Sequence, residues 1–296
     1  MPSAARRLPF SGVAGRRAAI VGAGLLGAIL IGALLAPLIA TADPFALSGP
    51  SLAPPSFQHL MGTDALGRDL FSGVLYGTRT SLLIASVVGL LATACGVTIG
   101  ISAGYLGGTA DNLLMRITEL FQVLPRFILV AVMIALFGPG LDRVVLTLGL
   151  TSWPVLARVV RGEVLATRNL DFVRSAEALG ATRIRIFWRV LLPQVTPSVL
   201  VVVALMLGQV LLLEASLGFL GLGDPNTLTW GMLAGQAQGY LRAAWWLPLF
   251  PGLAITLTVL GFNLFADGLA AALQRPHVRR RLPPAPGPTR DAIRPR

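Results

Sequence analysis

Residues able to do chemistry are few in this sequence, and they lie far apart. His59 and His277 are the two histidines, Cys95 is the one cysteine, and all 24 basic residues are arginine. An enzyme site would gather His, Asp, Glu or Cys at chemical spacing, and no such grouping occurs. A phosphate-binding loop of the G-x-x-x-x-G-K-[ST] type needs a lysine, so ATP hydrolysis by that route is excluded. Cys95 sits in an apolar stretch, has no partner for an internal disulfide, and reads as a small packing residue. Asp64, Arg68 and Asp69 make a charged group that could pass for a site, although a capped surface segment explains them better. Glu214 is an acid deep in an apolar block. It is either functional, the default for an ionisable group in a membrane, or structural, if water reaches it near the end of its span.

The elements that carry these residues are long and apolar. Hydrophobic residues make up 54% of the 296-residue chain and charged residues 12%, about half of the ~25% charge usual in soluble proteins. The expected fold is all-α and polytopic, with six membrane spans near residues 18–40, 80–105, 113–137, 144–160, 195–222 and 246–273. Ala40-Thr41-Ala42 resembles a signal-peptidase site after the first block. That block is longer than a signal-peptide core and more spans follow it, which favours an uncleaved first span. Six spans put both termini on one side. Arg6, Arg7, Arg16, Arg17, Arg116, the arginines of residues 158–189 and those of 275–296 fall on that side, against Arg68, Arg79, Arg143 and Arg242 on the other. The positive-inside rule makes the arginine-rich side cytoplasmic. Residues 1–17 then form a cytoplasmic tail, 18–274 the membrane domain, and the Pro- and Arg-rich residues 275–296 a disordered cytoplasmic tail. The net charge of +11 follows this topology rather than a nucleic-acid-binding face.

Two features inside the spans predict local geometry. Gly96, Gly100 and Gly104 recur on one face of the second span, where another backbone can approach closely. Packing within the chain is the simpler expectation, and a subunit interface the alternative. Pro125 should bend or loosen the third span.

The long polar segment 161–194 reads as two short helices around a glycine hinge. Asn169 or Asp171 can cap the first helix, Gly180 suits the left-handed position that ends it, and Thr182 can cap the second, which Pro193 closes. Val173, Ala176 and Leu179 follow helical spacing, with Arg174 and Glu177 elsewhere. Such a helix suits a partner's groove, and an interfacial loop is the plainer alternative.

Ala176, Gly180 and Leu192-Pro193 stand at the spacing of the EAA loop of ABC importer permeases, which this segment resembles. Arg174 and Ser175 replace the usual Glu and Ala, and Val190 replaces an isoleucine. Further stretches look like the dipeptide, oligopeptide and nickel permeases. They include Gly62-Thr63-Asp64 with Gly67-Arg68-Asp69, Gly77-Thr78-Arg79, Ala103-Gly104-Tyr105 with Gly107-Gly108, Glu214-Ala215-Ser216, Trp230-Gly231 and Phe250-Pro251-Gly252. The likeness covers roughly residues 15–276 and is closest to the second permease of the pair.

The resemblance implies a type I ABC importer permease fold and a transport subunit with no cofactor and no ATPase site of its own. Its partners would be a sister permease, two ABC ATPase subunits that use the ATP, a solute-binding protein outside, and the bilayer of the inner (plasma) membrane. Residues Val173, Arg174, Ala176, Glu177, Leu179, Gly180 and Pro193 would form the ATPase-coupling segment. Asp64, Arg68 and Asp69 would face the binding protein, and Glu214 would be a pathway or structural group. Substrate choice among peptides, metal chelates and opines is expected to lie largely in the binding protein. A secondary, ion-driven transporter is the rival class, but it would place more ionisable residues near the bilayer midplane.

Overall fold

Residues 11–273 are described by the computed structural model, and every regular element among them is helical. Expectations for residues 1–10 and 274–296 lie outside the described residues. Helix α1 (Ser11–Leu34) is followed by the one-turn α2 (Ala36–Ile39), and a folded connection of about thirty residues leads to α3 (Leu70–Leu106). Next come α4 (Gly108–Val123), α5 (Arg126–Phe137) and α6 (Leu141–Thr167). Short helices α7 (Asp171–Ala178) and α8 (Arg183–Ile186) lead through one π-turn (Phe187–Leu191) into α9 (Leu192–Phe219). The described residues end in α10 (Trp230–Gln236), a 3₁₀ turn and α11 (Trp246–Leu273). Among the described residues five helices are long and apolar enough to cross a membrane, and α4 with α5 makes a sixth span if that pair, bent by 75°, counts as one. The bend falls at Leu124-Pro125, where the proline has no N–H to continue the helix.

The glycine face of α3 packs within the chain. A Cβ on Gly96 would meet Leu156, one on Gly100 would lie 2.6 Å from the Ala157 carbonyl oxygen, and one on Gly104 would lie 2.8 Å from Val164 Cβ. All three neighbours are on α6, so the missing side chains are what lets α3 and α6 meet backbone to backbone. One core joins these helices to α9, α10 and the start of α11, and includes Ile84, Val88, Leu148, Leu211 and Trp230. A second core gathers the end of α3, the end of α6, α7, α8 and the start of α9, around Ile101, Val160, Val173, Ile186 and Leu191.

Several boundaries differ from the sequence expectation. The second span is ten residues longer at its start, because Leu70, Val74, Gly77 and Thr78 are buried against protein and need no apolar run. Pro193 does not close a helix. It lies in the first turn of α9, and Arg183–Phe219 runs as one helical stretch through it. The π-turn just before it, with the Leu192 N–H donating to the Phe187 carbonyl, widens the helix enough to take the ring and its missing donor. Neither Asn169 nor Asp171 caps α7, whose N-cap is Leu170 with no side-chain bond, although Asp171 sits in the first turn. Thr182 does cap α8, accepting from the Arg185 N–H.

Candidate functional site

Helix α7 stands at the end of the bundle where α3, α6 and α9 converge, and three ties hold it there. Val173 is fully buried in the second core. The Tyr105 hydroxyl, at the end of α3, donates to Glu177 Oε1 at 2.8 Å. Just before α7, Arg168 donates to the Gly104 carbonyl at 3.0 Å. Gly180 ends the helix with φ +79°. Its N–H donates to the Glu177 carbonyl and the Ala181 N–H to that of Ala176, the paired bonds of a Schellman stop.

This packing splits the apolar set expected from the sequence. Val173 points into the protein and anchors α7, whereas Leu179 is 88% exposed. The outward face consists instead of Phe172, Ala176 and Leu179, spaced i, i+4 and i+7, with Phe172 and Leu179 exposed and Ala176 half-buried. Phe172 was missing from the expected segment, though its i+7 relation to Leu179 was the available signal. Arg174 is exposed beside that face, and Pro193 lies beyond the π-turn, away from it.

At the opposite end of the bundle, the connection between α2 and α3 is a set of tight turns. Asp64 Oδ1 accepts from the backbone N–H of Leu66 and of Arg68, both at 2.8 Å. Arg68 lies over the Phe45 ring, 5.8 Å from its centre. Asp69 cannot face a partner, because its side chain is fully buried as the N-cap of α3. It accepts from the Ser72 N–H at 2.9 Å, the Ser72 hydroxyl at 2.8 Å and the Thr41 hydroxyl at 2.8 Å, and it pairs with His59 Nδ1 at 3.1 Å. Burial pushes this carboxyl up, but the Ser72, Thr41 and His59 hydrogen bonds outweigh it and hold the group below its ordinary 3.8. Trp246, at the start of α11, donates to the Thr63 carbonyl at 3.2 Å and fastens the connection to the bundle.

Glu214 lies between α3, α9 and α10, with 6% of its surface exposed. The Ser81 hydroxyl sits 3.4 Å from Glu214 Oε2 and also accepts from the Trp230 N–H at 3.2 Å. The carboxyl thus joins the start of α10 to two spans, an arrangement that fits the structural reading of this acid. Helix α10 went unread in the sequence because seven residues are too few for a periodic signal. Further along, Asp111 and Arg161 form a bidentate pair at 2.5 and 2.6 Å that ties α4 to α6. Among the described residues no group of three or more His, Cys, Asp or Glu side chains could hold a metal ion.

Comparison with known proteins assigns this architecture. The family described as the binding-protein-dependent transport system inner membrane component matches residues 96–278. The chain belongs to that family. The probable D,D-dipeptide transport system permease protein DdpC of Escherichia coli K12 is 38% identical over 239 residues, covering 80% of each chain. The dipeptide transport system permease protein DppC of Alkalihalophilus pseudofirmus is 35% identical over 270 residues, 90% of this chain and 88% of that one. The glutathione transport system permease protein GsiD of Pectobacterium atrosepticum is 40% identical over 220 residues, 74% and 73% of the two chains. A chain of the MetNI methionine ABC transporter, solved in inward-facing conformations, superposes with a TM-score of 0.57 at 21% identity and covers 69% of this chain and 97% of its own. That likeness establishes the fold of an ABC importer permease. This permease is therefore a multi-pass inner-membrane transport subunit, and nothing in the family or the fold favours an ion-driven secondary transporter. Family membership implies, in general, a partner permease, an ATPase and a binding protein.

Proposed function

We propose that this permease pairs with a sister permease to form the translocation path of an importer for peptides, driven by two ATPase subunits that dock on α7. The relatives named for dipeptides and glutathione support the substrate class. The single observation that carries the docking site is α7 itself, an eight-residue helix anchored by Val173 and Tyr105 while it offers Phe172, Ala176 and Leu179 outward. Arg174 and Glu177 flank that face, and Gly180 and Pro193 set the helix end and the connection to α9. The arginine bias supports placing the α7 end and both termini in the cytoplasm. On that orientation the connection between α2 and α3 faces the solute-binding protein. Its contact surface consists of Asp64 and Arg68 with the exposed Leu66, and Asp69 shapes it from beneath.

ATP-driven closure of the ATPases would displace α7. The second core, shared by α3, α6 and α9, would carry that displacement into the spans, provided the ATPases bind the two states unequally. The test is reconstitution of the purified complex in vesicles with labelled dipeptides and the binding protein. Uptake should require ATP and survive collapse of proton and sodium gradients. Uptake that follows an ion gradient without ATP would overturn the proposal.

A further inference from the structure

Two unpartnered polar groups flank a ring contact near the break in the third span. The rings of Phe121 and Trp153 lie 5.5 Å apart, which seats the end of α4 against the middle of α6. Gln122 and Ser152 are the immediate neighbours of that contact on their two helices. Gln122 Nε2 and Ser152 Oγ are two of the three buried side-chain polar atoms without a hydrogen-bond partner among the described residues, and Ser152 is 1% exposed. Leaving such groups unmet costs about 1–3 kcal/mol each, so a ligand or water that meets them is favoured.

Arg126 follows at the first position of α5 and is half-buried. It shares the helix face of Val130 and Ile134, the buried residues of α5, and lies opposite the exposed Ile128. The ion pairs among the described residues do not include it. Helix α5 has twelve residues, so Arg126 lies about 18 Å along the helix axis from the turn that follows; with α4 and α5 crossing as one bent span, that is near the middle of a hydrocarbon core about 30 Å thick. An arginine at that depth is tolerated where it faces a water-filled path or a counter-ion. An amide N–H, a hydroxyl and a guanidinium together offer donors and positive charge, which suits a ligand that brings acceptor oxygens and negative charge.

We infer that Arg126, with Gln122 and Ser152, forms a mid-membrane station for the carboxylate of the transported solute. The inference rests on the reading of this chain as a path-forming peptide permease, since a peptide carries such a group at its C terminus. The station lies at a bend, where α4 and α5 can change their angle as the path opens.

The test reads water access and charge at the station, and does not depend on uptake. In the assembled complex, Cys95→Ala removes the native thiol of this chain and Leu129→Cys places one a turn above Arg126. Labelling of that cysteine by a sulfonate-bearing and by a trimethylammonium-bearing methanethiosulfonate is followed by mass spectrometry of this chain. A focused positive field raises local anion concentration by at least about tenfold, so the sulfonate-to-ammonium ratio should fall by that factor in Arg126→Gln and persist in Arg126→Lys. Acetate should protect against the sulfonate reagent, whereas acetamide and equal chloride should not. A ratio unchanged in Arg126→Gln, a cysteine that neither reagent reaches with or without ATP, or protection by chloride equal to that by acetate would overturn the station. Failure of peptide uptake with the ratio intact would count against the peptide reading instead.

Discussion

Asp69 shows how a residue that looks like a contact can be a structural keystone. In sequence it stands with Asp64 and Arg68 in a charged segment, yet its carboxylate closes the first turn of α3 and ties Thr41 and His59 to it. Asp69→Ala removes the cap and strands the Ser72 and Thr41 donors. It should destabilise the protein by about 2 kcal/mol, seen as a lower melting temperature in detergent. Asp69→Asn should keep most of the cap, because asparagine also accepts from the second or third N–H of a helix. The two proteins should part with pH. The Asp69 carboxyl titrates below its ordinary 3.8 in the folded chain, so its stabilisation is complete above that value and is lost as pH falls through the lower, folded value. The melting temperature of the wild type should therefore fall further than that of Asp69→Asn on acidification below about pH 4. Identical slopes for the two proteins would show that the carboxylate charge contributes nothing.

For the helices, the decisive feature is the backbone contact of α3 with α6. Gly100→Val would drive a branched side chain into the Ala157 carbonyl and Val160, already within 2.6 and 2.7 Å of a bare Cβ. Overpacking of this kind costs about 1–3 kcal/mol, so the variant should lose thermal stability and yield. Gly24→Ala, where a Cβ meets nothing within 4 Å, should behave as wild type. A Gly100→Val protein as stable as wild type would mean that α3 and α6 separate in the membrane. The apolar blocks made the spans legible, and the small-residue spacing made this face legible too, because both follow from single-helix periodicity. What escaped depends on contacts between elements. The start of α3 is polar enough to look like a loop, since its Ser72 and Thr78 are buried by protein rather than lipid. The π-turn that lets Pro193 sit within a continuous helix leaves no mark in composition. Val173 and Phe172 are adjacent apolar residues in sequence, and only the neighbouring helix ends decide which of them is anchor and which is surface. Arg126 had no role in the sequence reading, although an arginine directly after a proline inside an apolar block was the signal.

Across the whole molecule, sidedness and the point where the drive enters decide how it works. A reporter fused within residues 168–185 should read as cytoplasmic, and one inserted near Pro54 or Asn226 as exported. A cytoplasmic signal at Pro54 would overturn that sidedness. This chain has no lysine for a phosphate-binding loop, and on the proposed function the drive is supplied by the ATPase subunits. Helix α7 combines a hydrogen bond to the end of α3 and a valine buried in the core shared by α3, α6 and α9 with an exposed apolar face, which is what a lever between an ATPase and a membrane path requires.

The most direct measurement is therefore dipeptide taken up per ATP hydrolysed by the complex in vesicles, compared among wild type, Ala176→Glu and Gly180→Val. Ala176→Glu puts a charge on the outward face of α7. Gly180→Val forces a β-branched residue into a left-handed position at φ +79°, where no neighbour crowds a Cβ, so its effect acts through the backbone at about 1–2 kcal/mol. Both variants should insert and receive the binding protein as wild type does. Uptake per ATP should fall about tenfold, the equivalent of about 1.4 kcal/mol, with the ATPase either lost on purification or hydrolysing without import. Wild-type coupling ratios in both variants would contradict the account, because the drive would then enter this permease somewhere other than α7.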